Sequence, residues 1–194
     1  LTVTLNASTH LPGLFDSIRA QDLENVEWLI VDGASTDDTI KQIKGCSDLV
    51  TRWISEPDSG FYDALNKAVS MACGRFYVVM GADDRFEVGA LINLKAAAHE
   101  IKDKESLVLF PIRRAGKVIM PHRPTKARLI LGWSFVVASH SIGSLIQTSL
   151  HQRFGRYSLR YPLLADGYFL TKILIGNVPL YLRREVIGVF ADGG

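Results

Sequence analysis

Short apolar runs alternate with stretches of helical period through the first hundred residues of the chain. LTVTL (1–5) reads as a strand, and the segment after it sets Leu11, Leu14, Phe15 and Ile18 on one helical face, with Thr9 at the cap position and Pro12 in the first turn. VEWLIVD (26–32) reads as a buried strand, and GASTDDTIKQIKG as a turn and a capped helix ending at Gly45. LVTRWIS (49–55) is a third strand. PDSG makes a turn before the helix YDALNKAVSMACG, which has Gly74 past its end. RFYVVM (75–80) is a fourth strand, and a further helix covers roughly 87–102. Strands and helices in alternation predict right-handed βαβ units and a mainly parallel central sheet covered on both faces, an α/β fold.

The rhythm changes from about residue 106. LVLFPIRRAGKVIM predicts a hairpin with Gly116 in its turn, followed by the basic, proline-containing loop PHRPTKAR. TSLHQRFGRYS reads as a short helix and turn. ADGYFLTKILIGN places Phe169, Leu170, Ile173 and Leu174 on one helical face with Asp166 at its start, and LYLRREVIGVF closes the chain as a strand. With no repeat, low-complexity segment or linker, residues 1–194 are expected to form one domain. Residues 1–105 make its first half, and residues 106–194 make a smaller β-containing second half.

In parallel sheets, ligands bind beyond the carboxyl ends of the strands. The residues that follow the four predicted strands are Asn6; Asp32; Glu56 and Asp58; and the pair Asp83 and Asp84. Each alone is accounted for by the preference of Asp and Asn for turns. Four in register, one of them doubled, point to a ligand that wants carboxylates. Charge follows the same division: Lys/Arg against Asp/Glu is 10 to 17 in residues 1–105 and 12 to 3 in residues 106–194, so Asp166 is one of three acids in a basic half.

With 47% hydrophobic and 22% charged residues, the chain has material for a full core, and its net charge of +2 singles out no partner. Cys46 and Cys73 lack a CxxC or histidine-rich companion, so a reducing compartment is expected. No signal peptide is visible. The longest span without Lys, Arg, Asp or Glu (129–151) is too rich in Ser, Thr, Gln and His for a membrane span, and reads as core plus site lining.

A nucleotide sugar fits these acids if a divalent cation intervenes, because its diphosphate would otherwise be repelled. Hard carboxylate oxygens suit Mn²⁺ or Mg²⁺, with diphosphate and water completing the shell. Adjacent aspartates on extended backbone point in different directions, so one of the pair can meet a ribose hydroxyl and the other the metal. Asp32 could accept from a base N–H. A base is also needed to deprotonate the acceptor hydroxyl, and Asp166, isolated among cations, is the candidate; its rival role is a helix N-cap.

TVTLN, VDGASTDDT, EPDSGFYDALNKA, GADDRF, ADGYFLTKI and VFADGG stand in the order and approximate spacing of the family 2 glycosyltransferases. The chain resembles the bacterial polysaccharide-assembly branch of that family over nearly its whole length. The resemblance implies the GT-A fold and inverting, metal-dependent transfer from a nucleoside-diphosphate sugar to a saccharide or lipid-linked saccharide. Carried onto this sequence, it puts Thr4, Leu5 and Asn6 beside the nucleotide, Asp32 at the base, and Asp83 at the ribose and next to the metal. Asp84 would hold Mn²⁺ or Mg²⁺, Asn66 and Lys67 would lie on the donor side, and Asp166 would be the base. His140 would line the acceptor side, the other reading being a satisfied, partly buried histidine.

The sequence departs from relatives at Leu5, often aromatic, at Leu65, where ALN replaces ARN, and at Gly167, often acidic or aromatic. A catalytically inactive nucleotide-sugar-binding or assembly protein is therefore the alternative. A dinucleotide oxidoreductase lacks its GxGxxG after the first strand. The acid-free run Arg113, Arg114, Lys117, Arg123, Lys126 and Arg128 suits an anionic acceptor or membrane surface, or is simply a solvated basic loop. Nucleic acid is disfavoured, because the run lacks interleaved aromatics. The expected location is cytoplasmic, with peripheral contact at the inner face of the membrane.

Overall fold

The computed structural model describes residues 1–101, 105–124 and 141–191. Its first sheet holds β1 (Thr2–Thr4), β2 (Leu29–Asp32) and β3 (Arg52–Ser55), all parallel, in the order β1-β2-β3. The register aligns Thr4 with Asp32 and Asp32 with Ser55, so the strands end level on one edge. The crossovers are α1 (Leu11–Arg19) and α2 (Thr39–Gly45), and α3 (Phe61–Met71) follows β3. α1 buries Leu11, Leu14, Phe15 and Ile18 as the spacing predicts, with proline in its first turn. Its cap position is held by His10 rather than Thr9 and makes no side-chain cap bond. Strand alternation sorts the core: Ile30 packs with α1 and α2 residues, whereas Val3 and Val31 face Leu65 and Val69 of α3.

Beyond α3, through the smaller β-containing half, strand pairing is both parallel and antiparallel. Only Phe76–Tyr77 of the fourth run is a strand (β4), and it lies antiparallel to β9 (Ser144–Gln147). The chain then runs on to Met80, which bridges Thr2 in parallel, with the Met80 N–H donating to the Leu1 carbonyl at 3.0 Å. β5 (Arg85–Phe86) and α4 (Ala90–Ile101) follow, then β6 (Leu107–Leu109), β7 (Ile112–Arg114) and β8 (Lys117–Ile119). After β9 come α5 (Leu150–Phe154), α6 (Ala165–Ile175), β10 (Leu180–Leu182) and β11 (Gly188–Phe190). The remaining sheets run β10-β6-β9-β4 and β5-β11-β7-β8. The β7–β8 hairpin turns through Ala115 and Gly116 with φ of +46° and +75°, both positive as a type I′ turn demands. The predicted closing strand splits in two, and β10 and β11 join different sheets.

α3 and α6 cover one face of the sheet, where Leu65, Leu107, Leu109, Phe169, Leu170 and Ile173 form a single cluster. Leu65 is 1% exposed there, so an arginine at this position would bury its guanidinium in the core rather than meet a donor. Leu65→Ala is expected to cost about 3 kcal/mol in urea unfolding, and Leu65→Arg at least as much. A cost below about 1 kcal/mol for the alanine variant would contradict this packing.

Candidate active site

The ends of the three parallel strands meet at one carboxylate. Asp32 is fully buried and accepts four hydrogen bonds. Thr4 Oγ1 (2.9 Å) and Ser35 Oγ donate to its Oδ1, and the Ser35 N–H (2.8 Å) and Ser55 Oγ (2.7 Å) donate to its Oδ2. Ser35 Oγ also accepts the Asn6 N–H, and Asn6 Oδ1 accepts the Thr36 N–H at 2.9 Å. Asp32, expected at the base, is thus consumed inside the protein, because each oxygen already has two donors and no face is open. Thr4 is likewise buried. What the knot presents outward is Leu5, 62% exposed, and Asn6 in the left-handed region that Asn tolerates.

Gly33 follows the knot, and a Cβ built on it would lie 2.6 Å from Asp58 Oδ2 and 3.5 Å from Leu5 Cδ1. Leu5, Gly33 and Asp58 therefore share one wall. Lys67 is drawn into the PDSG turn instead of the donor: its ammonium pairs with Glu56 at 2.8 Å and donates to the Pro57 carbonyl at 3.0 Å. Asn66 is also put to another use. Its side-chain amide brackets the Tyr157 backbone, donating to the carbonyl and accepting the N–H, each at 2.9 Å, and it is buried.

The Thr2–Met80 bridge carries the GADD turn to the same edge, beside the end of β1. The turn closes on itself: Asp84 Oδ2 accepts the Gly81 N–H at 2.7 Å, and the Asp84 N–H donates to the Gly81 carbonyl at 3.2 Å. A Cβ at position 81 would come within 2.7 Å of Asp83 Oδ1 and 3.2 Å of Asp84 Oδ2, so only glycine leaves both carboxylates where they are. Asp83 is half-buried and Asp84 fully buried. Burial pushes the Asp84 carboxyl up to about 6 against the pull of the Gly81 N–H, with the Asp83 charge adding to the rise. Its Oδ1 is buried and makes no hydrogen bond of ordinary geometry among the described residues, although the Ala191 N–H lies near enough to favour the charged form. An orphaned hard oxygen beside a second carboxylate is a donor set that fits Mn²⁺ or Mg²⁺. Among the described residues no group of three or more His, Cys, Asp or Glu could hold a metal by itself, so a ligand's oxygens would have to complete the shell.

Asp166 lies in the first turn of α6, whose cap position is Leu164, so its carboxylate is not the N-cap. Oδ1 accepts the Gly167 N–H at 2.7 Å and the Tyr62 hydroxyl at 2.8 Å; among the described residues nothing donates to Oδ2. Gly167 thus supports Asp166 through its backbone. Tyr62 was not singled out in the sequence. The signal was the i, i+3, i+4, i+7 face of Tyr62, Leu65, Asn66 and Val69, all buried, on which Tyr62 alone carries a hydroxyl.

His140, Asp192, Lys126 and Arg128 lie outside the described residues. Of the remaining basic run, Arg113 pairs with Glu87 at 2.9 Å, Arg114 lies over the Phe190 ring, and Arg123 donates to the Leu180 carbonyl. A cavity of about 660 Å³ sits away from the acids, lined by Leu1, Thr2, Trp28, Phe76, Leu91 and Leu94 among others. It holds none of the predicted site residues.

The sequence model of Glycosyl transferase family 2 matches residues 1–158. The chain belongs to glycosyl transferase family 2. An uncharacterized glycosyltransferase of Mycobacterium tuberculosis is 26% identical over 188 residues, covering 94% of this chain and 71% of that protein. A PGL/p-HBAD biosynthesis glycosyltransferase of Mycobacterium bovis is 32% identical over 177 residues, covering 86% of this chain and 65% of the relative. In structure, S. aureus TarS 1–349 superposes with a TM-score of 0.75 at 18% identity, over 98% of this chain and 59% of TarS 1–349. Mannosyltransferase PcManGT from Pyrobaculum calidifontis, solved with GDP-Man and Mn²⁺, gives 0.72 at 22% identity, over 97% of this chain and 55% of its own. The chain therefore has the GT-A fold of these glycosyltransferases while spanning little more than half of either structure. Asp166 lies beyond the stretch that the family model matches.

Two outcomes follow for this family 2 chain. Asp32→Asn turns an amide N–H toward hydroxyl and amide donors, and is expected to cost about 3 kcal/mol, a fall in Tm of roughly 6–12 °C in differential scanning calorimetry. For Asp84 the folded carboxyl binds its proton more tightly than the unfolded one. It therefore favours the folded state at low pH and costs stability as pH rises from about 4 through about 6. In EDTA, Asp84→Asn should be more stable than wild type by about 3 kcal/mol near pH 7 and no more stable near pH 4, read as the difference between their urea midpoints.

Proposed function

We propose that the chain transfers a glycosyl group, with inversion, from a nucleoside-diphosphate sugar to a hydroxyl of a saccharide or lipid-linked saccharide. The observation that carries this reading is Asp166: its Oδ1 is fixed by two donors, and its Oδ2 is left to take a proton. In an inverting displacement the acceptor oxygen bonds to the anomeric carbon on the face opposite the diphosphate, whose C–O bond breaks as Asp166 receives the acceptor proton. One base suffices. Leu5, Gly33 and Asp58 form the wall against which the nucleoside rests, with Asp58 offered to a base N–H. The knot at Asp32 holds that wall in shape, and Thr4 and Asn6 act through it. Asp83 and Asp84 are the groups that would hold Mn²⁺ or Mg²⁺ and a ribose hydroxyl. The cation, when bound, stabilises the departing diphosphate as a Lewis acid.

The structure of PcManGT with GDP-Man and Mn²⁺ and that of TarS with UDP-GlcNAc support a nucleotide-sugar donor and a divalent ion. The name of the Mycobacterium bovis relative supports a role in glycan or glycolipid synthesis. No helix among the described residues is long and apolar enough to cross a membrane. Contact with an anionic membrane face would fall to the β7–β8 hairpin, where Lys117 adjoins the exposed Val118 and Met120. The inactive reading loses its two supports, since Leu65 belongs to the core and Gly167 holds Asp166.

The test is thermal stability with UDP, GDP, dTDP and CMP, each with and without Mn²⁺. One nucleotide at a hundred times its Kd should add about 2.7 kcal/mol with Mn²⁺ present, and Asp84→Ala should abolish that gain. Asp166→Asn should keep the gain while turnover of the matching nucleotide sugar drops on the order of 10²–10⁴-fold. Wild-type turnover in Asp166→Asn would sink the base assignment.

A further inference from the structure

Tyr62 reaches Asp166 from the donor half of the chain, across 104 residues of sequence. Its place is over-determined. The ring packs edge-on to Phe61 at 5.2 Å and tilted on Tyr157 at 5.7 Å, and Tyr157 in turn packs on Phe169 of α6 at 5.0 Å. One turn further along α3, Asn66 clamps the Tyr157 backbone from both sides. The Tyr157 hydroxyl is tied to that of Tyr77 at 2.7 Å, and Tyr77 to His151 Nε2 at 2.7 Å. α3 and α6 are thus joined by a rigid aromatic block, and among the described residues the polar group that block aims at the candidate base is the Tyr62 hydroxyl.

We infer that Tyr62 is a positioning residue for the transfer reaction, holding the Asp166 carboxylate by Oδ1 so that Oδ2 faces the acceptor hydroxyl. The inference rests on Asp166 being the base. Burial and the Asp166 charge hold the Tyr62 phenol well above its usual range, so it remains a donor throughout the working pH range. A carboxylate held by such a donor does not rotate.

The experiment uses the whole chain with Mn²⁺ and a panel of UDP-, GDP-, dTDP- and CMP-sugars, following nucleotide release with water as acceptor. In that assay the anomeric C–O bond to the nucleotide breaks, a C–O bond to water forms, and the water proton passes to Asp166. Tyr62→Phe keeps the ring and its packing. It should lower kcat about tenfold and leave the donor KM unchanged, because the loss falls on positioning of the carboxylate and not on donor binding. Adding Tyr62→Phe to Asp166→Asn should cost nothing further in kcat. Thermal denaturation of the same four proteins should show the two substitutions to be non-additive in stability, a readout that needs no substrate. Unchanged kcat in Tyr62→Phe, beside an Asp166→Asn that has lost turnover, would overturn this inference and leave the base standing. Full turnover in Asp166→Asn would instead remove the base. Additive stabilities would deny the contact itself.

Discussion

The candidate site depends on a charge that the protein itself satisfies. Asp32 is a carboxylate removed from water, a placement that is unfavourable by several kcal/mol unless donors replace the lost hydration. Four donors do so, from Thr4, Ser35 and Ser55, and three of the four residues involved are register partners at the ends of β1, β2 and β3. The same bonds that satisfy Asp32 therefore fix how three strands end. From those ends hang Leu5 and Asn6, Gly33, and the turn that leads through Asp58 to α3. Remove the charge and the wall loses its reference points, although no atom of the wall is Asp32 itself.

The fold was legible where pattern and burial coincide. α1 and α6 carry their apolar residues at helical spacing and bury those positions, and the parallel order of the first three strands follows from the helices between them. The mixed second half was not legible, because β4 and β5 are two residues each and owe their pairing to partners distant in sequence: β9 pairs with β4, and β11 with β5. Period cannot be read from two residues. For the candidate site, the sequence brought Asn6, Asp32, Asp58, Asp83 and Asp84 to one edge, but did not show which side chains turn outward. A residue at a strand end has one neighbour inside and one outside, and the choice between them was settled here by serines and a threonine that bear no mark of their role. Asn66 and Lys67 make the same point: each has a partner within the protein, at Tyr157 and Glu56, that spacing alone does not reveal.

The two halves of the chain carry opposite charge, yet the candidate base stands in the basic half and its anchor in the acidic one. That arrangement has a physical use. α3 begins at the turn bearing Asp58, beside the wall shared with Leu5 and Gly33, and within its first turn reaches Asp166 through Tyr62. The distance between that wall and the candidate base is thereby set by a short piece of rigid helix rather than by the path through the sheets. Reaction geometry tolerates little error between nucleophile, anomeric carbon and base. A direct strut between the two halves is what such tolerance demands.

Asp32 and Asp84 make the sharpest comparison in the molecule. Both are fully buried aspartates on the same edge of the fold. One has every acceptor position filled. The other has one oxygen on the Gly81 N–H and one with no hydrogen bond of ordinary geometry among the described residues, and its carboxyl is pushed up to about 6. A residue kept for stability would be expected to look like the first. The second lowers the stability of the ligand-free protein near neutral pH, as is expected of a group kept for a ligand rather than for stability. On the proposed function, Asp83 and Asp84 would hold a hard divalent cation, and the described residues contribute too few ligands to keep one without the donor's own oxygens. Ion and nucleotide sugar would then bind together, and the unsatisfied oxygen of Asp84 would favour binding of the pair.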